Sequence, residues 1–185
     1  MTELIADLFV SLDGFAGGDF GPYFGYGGPE LDDWIQAELD KPQVVVLGRV
    51  TYEALATFAS NGFDQGSQRL TALPKVVVSS TLSEPLAWAN TRLVAGDAIE
   101  TLPAVKRDSG VPMRTVGSIS LVRNLVAAGL LDRLRLMVFP LTCGSAGSDH
   151  IFEDGEPAHF ELEQTKVLDA RVVLLEYRTT TYRGN

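Results

Sequence analysis

Three short turns carry the residue types best suited to chemistry: Gly48-Arg49-Val50-Thr51, Ser79-Ser80-Thr81 and Gly117-Ser118. Each follows a strand-like apolar run (Gln43 to Leu47, Lys75 to Val78, Met113 to Val116), and the first and third open helix-like runs. Open α/β sheets bind ligands at the carboxyl ends of their strands, and a helix start offers free N–H groups to a phosphate. Three such turns, one bearing an arginine, point to a crevice for a phosphorylated ligand.

In the first turn Gly48 permits close backbone approach, while Arg49 and Thr51 supply charge-assisted and neutral hydrogen bonds. A hydrogen bond from arginine to an ion contributes about 1.5–3 kcal/mol, which prefers a phosphorylated cofactor by about one or two powers of ten. The same residues also suit an ordinary strand-to-helix turn with a solvated arginine. Likewise the hydroxyls of Ser79, Ser80 and Thr81 suit turn formation, and Ser118 suits N-capping of the helix that follows. Acid chemistry has three candidates: Asp13 beside a glycine-rich segment, and Asp32 and Asp33 at the start of the next helix, where acidic side chains also suit the dipole.

Other chemistries lose support. There is no Walker pattern, Gly25-Tyr26-Gly27-Gly28 does not continue as a dinucleotide fingerprint, and no nucleophile elbow is present. Cys143 has no base nearby in sequence and reads as a buried cysteine; with only His150 and His159 beside it, no metal site is expected. The net charge of −9 opposes attraction to nucleic acid or anionic membranes, so the expected partner is a small-molecule substrate. Arg49, Lys75 and Arg123 lie near the turns in sequence and predict a positive spot in a negative field. Glu3 and Asp7 interrupt the opening residues, which do not read as a signal peptide or membrane span, and a cytoplasmic location is expected.

The elements that must position these turns read as alternating β and α. At 185 residues, 45% hydrophobic and 21% charged, the chain suits a single domain spanning residues 1–185. Leu4 to Leu12 predicts a buried strand. Gly14 to Gly28 predicts a long mobile loop, either an active-site lid or a surface loop without chemistry, whose Phe15, Phe20, Tyr23, Phe24 and Tyr26 either cover a planar ligand or anchor the loop. Leu31 to Leu39 has helical spacing. The continuous apolar runs Val44 to Leu47 and Lys75 to Val78 predict central parallel strands.

Arg92 to Ala95 is a weaker strand, followed by a helix start at Asp97 and Glu100 that Pro103 is expected to interrupt. Met113 to Val116 predicts a strand, Ser118 to Ala128 a helix with Leu121, Leu125 and Ala128 on one face, and Leu134 to Phe139 another strand. Glu161 to Leu168 and Val172 to Thr181 flank Asp169-Ala170-Arg171 and predict a final antiparallel hairpin, whose apolar and aromatic content allows a homodimer.

Ser11-Leu12-Asp13-Gly14-Phe15-Ala16-Gly17, Leu47-Gly48-Arg49-Val50-Thr51-Tyr52-Glu53, Val78-Ser79-Ser80-Thr81, Val116-Gly117-Ser118 and Gly129-Leu130-Leu131-Asp132, in that order, resemble the dihydrofolate reductase-like superfamily. The chain is most similar to the C-terminal reductase domain of the bifunctional riboflavin-biosynthesis deaminase-reductase and its stand-alone relatives. The resemblance implies a three-layer α/β fold, with a mostly parallel central sheet flanked by helices. It also implies an NADPH-dependent reductase like the one that reduces a phosphoribosylamino-uracil in riboflavin biosynthesis. It places Arg49, Thr51, Ser79 and Ser80 on the adenosine 2′-phosphate side, Gly117, Ser118 and Ile119 at the pyrophosphate, and Ala16 and Gly17 near the nicotinamide through their backbone. Dihydrofolate reductases carry a glycine pair where this chain has Gly117-Ser118, and the resemblance does not extend to the zinc-binding deaminase half. A true dihydrofolate reductase and a non-catalytic nucleotide-binding module are the competing readings.

Overall fold

Residues 2–18, 20, 22–60, 65–153, 155 and 157–180 are described in a computed structural model of the chain. Its centre is an eight-stranded sheet. β1 (Leu4–Ser11) lies between β6 (Met113–Val116) and β7 (Arg133–Phe139), parallel to both. Beyond β6 come β3 (Val44–Gly48), β4 (Lys75–Ser79) and β5 (Thr91–Ala95), all parallel. On the other side β10 (Val172–Thr180) runs antiparallel to β7 and pairs with the edge strand β9 (His159–Leu168). The expected mostly parallel sheet with its closing hairpin is present; Thr181, the expected last hairpin residue, lies outside the described residues.

Alternation of side chains along each strand assigns the helices to faces. Leu4, Ala6, Leu8, Val10 and Val46 pack with α4 (Ala98–Asp108) and α5 (Ile119–Ala127) through Leu102, Leu121, Val122 and Leu125. On the opposite face Val45, Leu47 and Val77 meet α2 (Arg49–Ser60) and α3 (Gln65–Ala72), while Met137 and Phe139 meet α1 (Pro29–Leu39). Each fully buried leucine in these layers stabilises the fold by about 1.5–3 kcal/mol. No helix of the described residues is long and apolar enough to cross a membrane.

Several sequence expectations are corrected by local physics. Gly14 to Gly28 is not simply a loop: β2 (Phe15–Gly18) pairs antiparallel with β8 (Gly147–His150). Its aromatic residues anchor it, Tyr23 edge-on to Phe9 at 5.4 Å and Phe24 against Phe139 at 5.3 Å; Asp19 and Gly21 lie outside the described residues. Pro103 does not interrupt α4. It removes one backbone donor, while the Asp97 carboxylate caps the helix through Ile99 N–H at 2.7 Å and Leu102 is buried. In α5 the buried face is Leu121, Val122 and Leu125, with Ala128 exposed past the helix end.

Lys75 is not near the turns either. It begins β4, at the opposite end from Ser79, and its ammonium donates to the carbonyls of Leu70, Thr71 and Leu73 while lying 4.6 Å from the Trp88 ring. Burial pushes its pKa down to about 8. The start of α1 is held from the far end of the chain: the Asp169 carboxylate accepts from Glu30 and Leu31 N–H, both at 3.0 Å, and Glu30 accepts from Asp169 N–H. A Cβ on Gly28 would lie 2.4 Å from Asp169 Cγ, so this position has no room for a side chain.

Candidate functional site

The carboxyl ends of β3, β4 and β6 open into one crevice of about 680 Å³. Gly48, Arg49 and Thr51 line it from the first turn, Ser79, Ser80 and Thr81 from the second, and Ser118 and Ile119 from the start of α5. Gly117 sits immediately behind at φ +91°, a left-handed backbone that favours glycine. The parallel order β4-β3-β6 is what brings turns more than thirty residues apart onto a single rim.

Ser118 is the link between two of these turns. It adopts φ +61° and makes no side-chain cap on α5, contrary to the simple N-capping reading. Instead its hydroxyl donates to Thr51 Oγ1 at 2.7 Å and accepts from Gly48 N–H at 2.8 Å. A Cβ on Gly48 would come within 3.0 Å of that oxygen, so glycine permits the contact. The first-turn N–H groups of α5 are left without a side-chain acceptor at the crevice wall, an arrangement that attracts anions.

Ser79 does what a turn requires: its buried hydroxyl accepts from Thr81 and Leu82 N–H, both at 3.1 Å. Ser80 is exposed at the rim. Arg49 pairs with Glu53 at 2.8 Å, the two side chains 45% and 48% exposed. An exposed i,i+4 pair contributes about 0.3–0.5 kcal/mol, less than the about 1.5–3 kcal/mol of an arginine hydrogen bond to an ion, so Glu53 does not commit Arg49. Arg123 also lines the crevice but donates to the carbonyls of His150 and Ile151. The crevice is not the positive spot expected, because Asp97 and Asp149 balance the two arginines. Asp149 enters from β8 at φ +58°, and nothing in the sequence pattern marked it.

The remaining predicted residues lie around the crevice rather than in it. Ala16 packs toward the core, and Gly17 pairs with Ser148, where a Cβ would lie 2.9 Å from Asp149 Oδ2. Asp13 is committed to its own loop: it accepts from the Ser11 hydroxyl and from the N–H groups of Cys143 and Gly144, at 2.6, 3.0 and 2.8 Å. These bonds lower its pKa to about 2, the Ser11 hydroxyl contributing most. Asp32 and Asp33 are exposed on α1, and neither lines the crevice. Cys143 is buried.

A family model described as the RibD C-terminal domain matches residues 2–174. The uncharacterized protein YyaP of Bacillus subtilis (strain 168) is 22% identical over 189 residues, covering 95% of this chain and 94% of its own. Among solved structures, a Shewanella sp. PV-4 protein named for riboflavin biosynthesis has a TM-score of 0.78 at 19% identity, covering 97% of this chain and 100% of that one. A pyrimidine reductase-like protein of Corynebacterium diphtheriae has a TM-score of 0.64 at 14% identity, covering 98% and 93%. RibD of Acinetobacter baumannii has a TM-score of 0.72 at 16% identity over 98% of this chain, which spans 59% of that protein. At these identities the structural likeness speaks for the fold.

Proposed function

Because the chain belongs to the RibD C-terminal domain family, we propose that it is a cytoplasmic NADPH-dependent reductase acting on a C=N or C=O bond of a small heterocyclic or ribosyl substrate. One observation carries this reading: three turns from separate parts of the chain converge on one crevice, with Ser118 tying the first to the third. The donors there fit a phosphorylated dinucleotide, since guanidinium, hydroxyl and uncapped helix N–H groups all donate and phosphate oxygens only accept.

When bound, the reduced nicotinamide supplies the hydride. The chain's own residues bind and orient. Arg49, with Thr51 and Ser80, holds the 2′-phosphate side; the start of α5 with Gly117 and Ile119 receives the pyrophosphate; the β2–β8 ribbon bearing Ala16 and Gly17 flanks the nicotinamide side. Asp13 stays ionised at neutral pH and holds its loop rather than a mobile proton. Delivery of a proton by Asp32 or Asp33 runs through water, because neither lines the crevice.

The test is a fluorescence titration with NADPH and NADH, read on the emission of the reduced nicotinamide itself, in the natural chain and in Arg49→Ala. NADPH binding saturates at micromolar concentration, and Arg49→Ala weakens it about ten- to hundredfold while leaving NADH nearly unchanged. Equal losses for the two cofactors would remove the phosphate role from Arg49, and no saturable response to either would remove the reductase reading.

A further inference from the structure

At the amino-terminal rim of the sheet lies a second, partly open cavity of about 370 Å³, between α1 and strands β1, β6, β7, β9 and β10. No residue lines both this cavity and the crevice. Against its wall lies a buried charge network. Asp7 accepts from Arg135 Nε and Nη2 at 2.6 and 2.9 Å and also from Arg114 Nε. Glu38 on α1 accepts from Arg135 Nη1 at 2.9 Å and pairs with Lys41. The Trp34 ring centroid is 5.0 Å from the Arg135 guanidinium and 5.8 Å from that of Arg114.

The buried charges balance, Asp7 and Glu38 against Arg114 and Arg135, while Lys41 is 61% exposed. Arg114 is the member with a hydrogen bond missing. Among the described residues its side chain hydrogen-bonds through Nε alone, Nη1 is buried without a partner, and the residue is 5% exposed while lining the cavity. A buried guanidinium with an unsatisfied nitrogen is strongly disfavoured, so an arrangement that keeps one at a cavity wall presents a donor to an anionic ligand. The half-buried cation nearby is already matched: Arg133 pairs with Glu3, Glu163 and Glu176.

We propose that this cavity binds a small monocarboxylate, its carboxylate on Arg114 and its carbon skeleton beside Trp34. A monoanion is favoured over a phosphate dianion because the carboxylates of Glu3, Glu38 and Glu176 line the same cavity and repel a second negative charge. The site stands independently of the reductase reading, although the two touch: the Asp7 carbonyl accepts from Gly117 N–H at 3.2 Å, directly behind the crevice.

Calorimetric titration of the full chain with sodium acetate and with sodium benzoate, at ionic strength fixed with sodium chloride, tests the site. Arg114→Gln removes the donor, and Ile5→Phe adds bulk to the cavity lining without touching a charge. Saturable binding is expected, weakened about tenfold or more in each variant, with NADPH affinity of Ile5→Phe within about twofold of the natural chain. No saturable heat with either carboxylate overturns the proposal, as does unchanged affinity in a folded Arg114→Gln or in Ile5→Phe. Tighter binding of inorganic phosphate than of both carboxylates overturns it too.

Discussion

At the carboxyl rim of the sheet an open crevice is lined by hydroxyls, the start of a helix, two arginines and two aspartates, with the Arg49 side chain 45% exposed. At the amino rim Asp7, Arg114 and Arg135 are full charges, none more than 5% exposed, held against one another beneath Trp34. The difference separates binding from stability. Groups already solvated at an open rim are exchanged for a ligand at little cost to the fold. Charges removed from water depend on their partners to remain folded at all.

The largest expected effect follows from that dependence. Asp7→Asn strips the shared carboxylate from Arg114 and Arg135 and is expected to destabilise the chain by about 3–5 kcal/mol, measured by urea unfolding. A loss below about 1 kcal/mol would erase the contrast between the rims, since that is the scale of an exposed ion pair.

Ser118→Ala sharpens the comparison, because the Ser118 hydroxyl joins two turns of the carboxyl rim. Losing its contacts to Gly48 N–H and Thr51 is expected to destabilise by about 1–2 kcal/mol and to weaken NADPH several-fold, seen in parallel unfolding and binding titrations. If stability falls while binding is untouched, the link between the two turns serves the fold alone.

The smallest effect is local. Asp13 has a folded pKa of about 2 against an ordinary 3.8, so its contribution is whole above 3.8 and is lost as pH falls through about 2. Amide exchange at Cys143 and Gly144, whose N–H groups it accepts, should accelerate relative to Leu141 across that interval, and Asp13→Asn should abolish the pH dependence. Exchange that is flat with pH in the natural chain would mean that these amides do not rely on the charge.

Much of the carboxyl rim was legible in the sequence. Val44 to Leu47 and Val76 to Val78 are continuous apolar runs, the pattern of strands covered on both faces, and the small and hydroxyl residues after them could only fall at strand ends. What was illegible has a common physical origin in pairing across distance. Phe15–Gly18 and Gly147–His150 have poor strand propensity alone and become strands by pairing with each other. Ser118 reads as a helix cap until Gly48 and Thr51 are folded against it. Arg114 and Arg135 alternate with apolar neighbours just as solvent-facing residues do, and only Asp7, brought between them by β1, reveals that they point inward.

The position of β1 also bears on how the chain is made. β1 is central, and its partners begin at Met113 and Arg133, with Leu4 N–H donating to Asp132 more than a hundred residues later. A chain emerging from the ribosome therefore carries β1 with its hydrogen-bonding edges unsatisfied until β6 and β7 have been translated. Contacts so remote in sequence slow folding and prolong exposure to misassociation. Truncations ending before β7 should accumulate as aggregates rather than as a smaller folded unit.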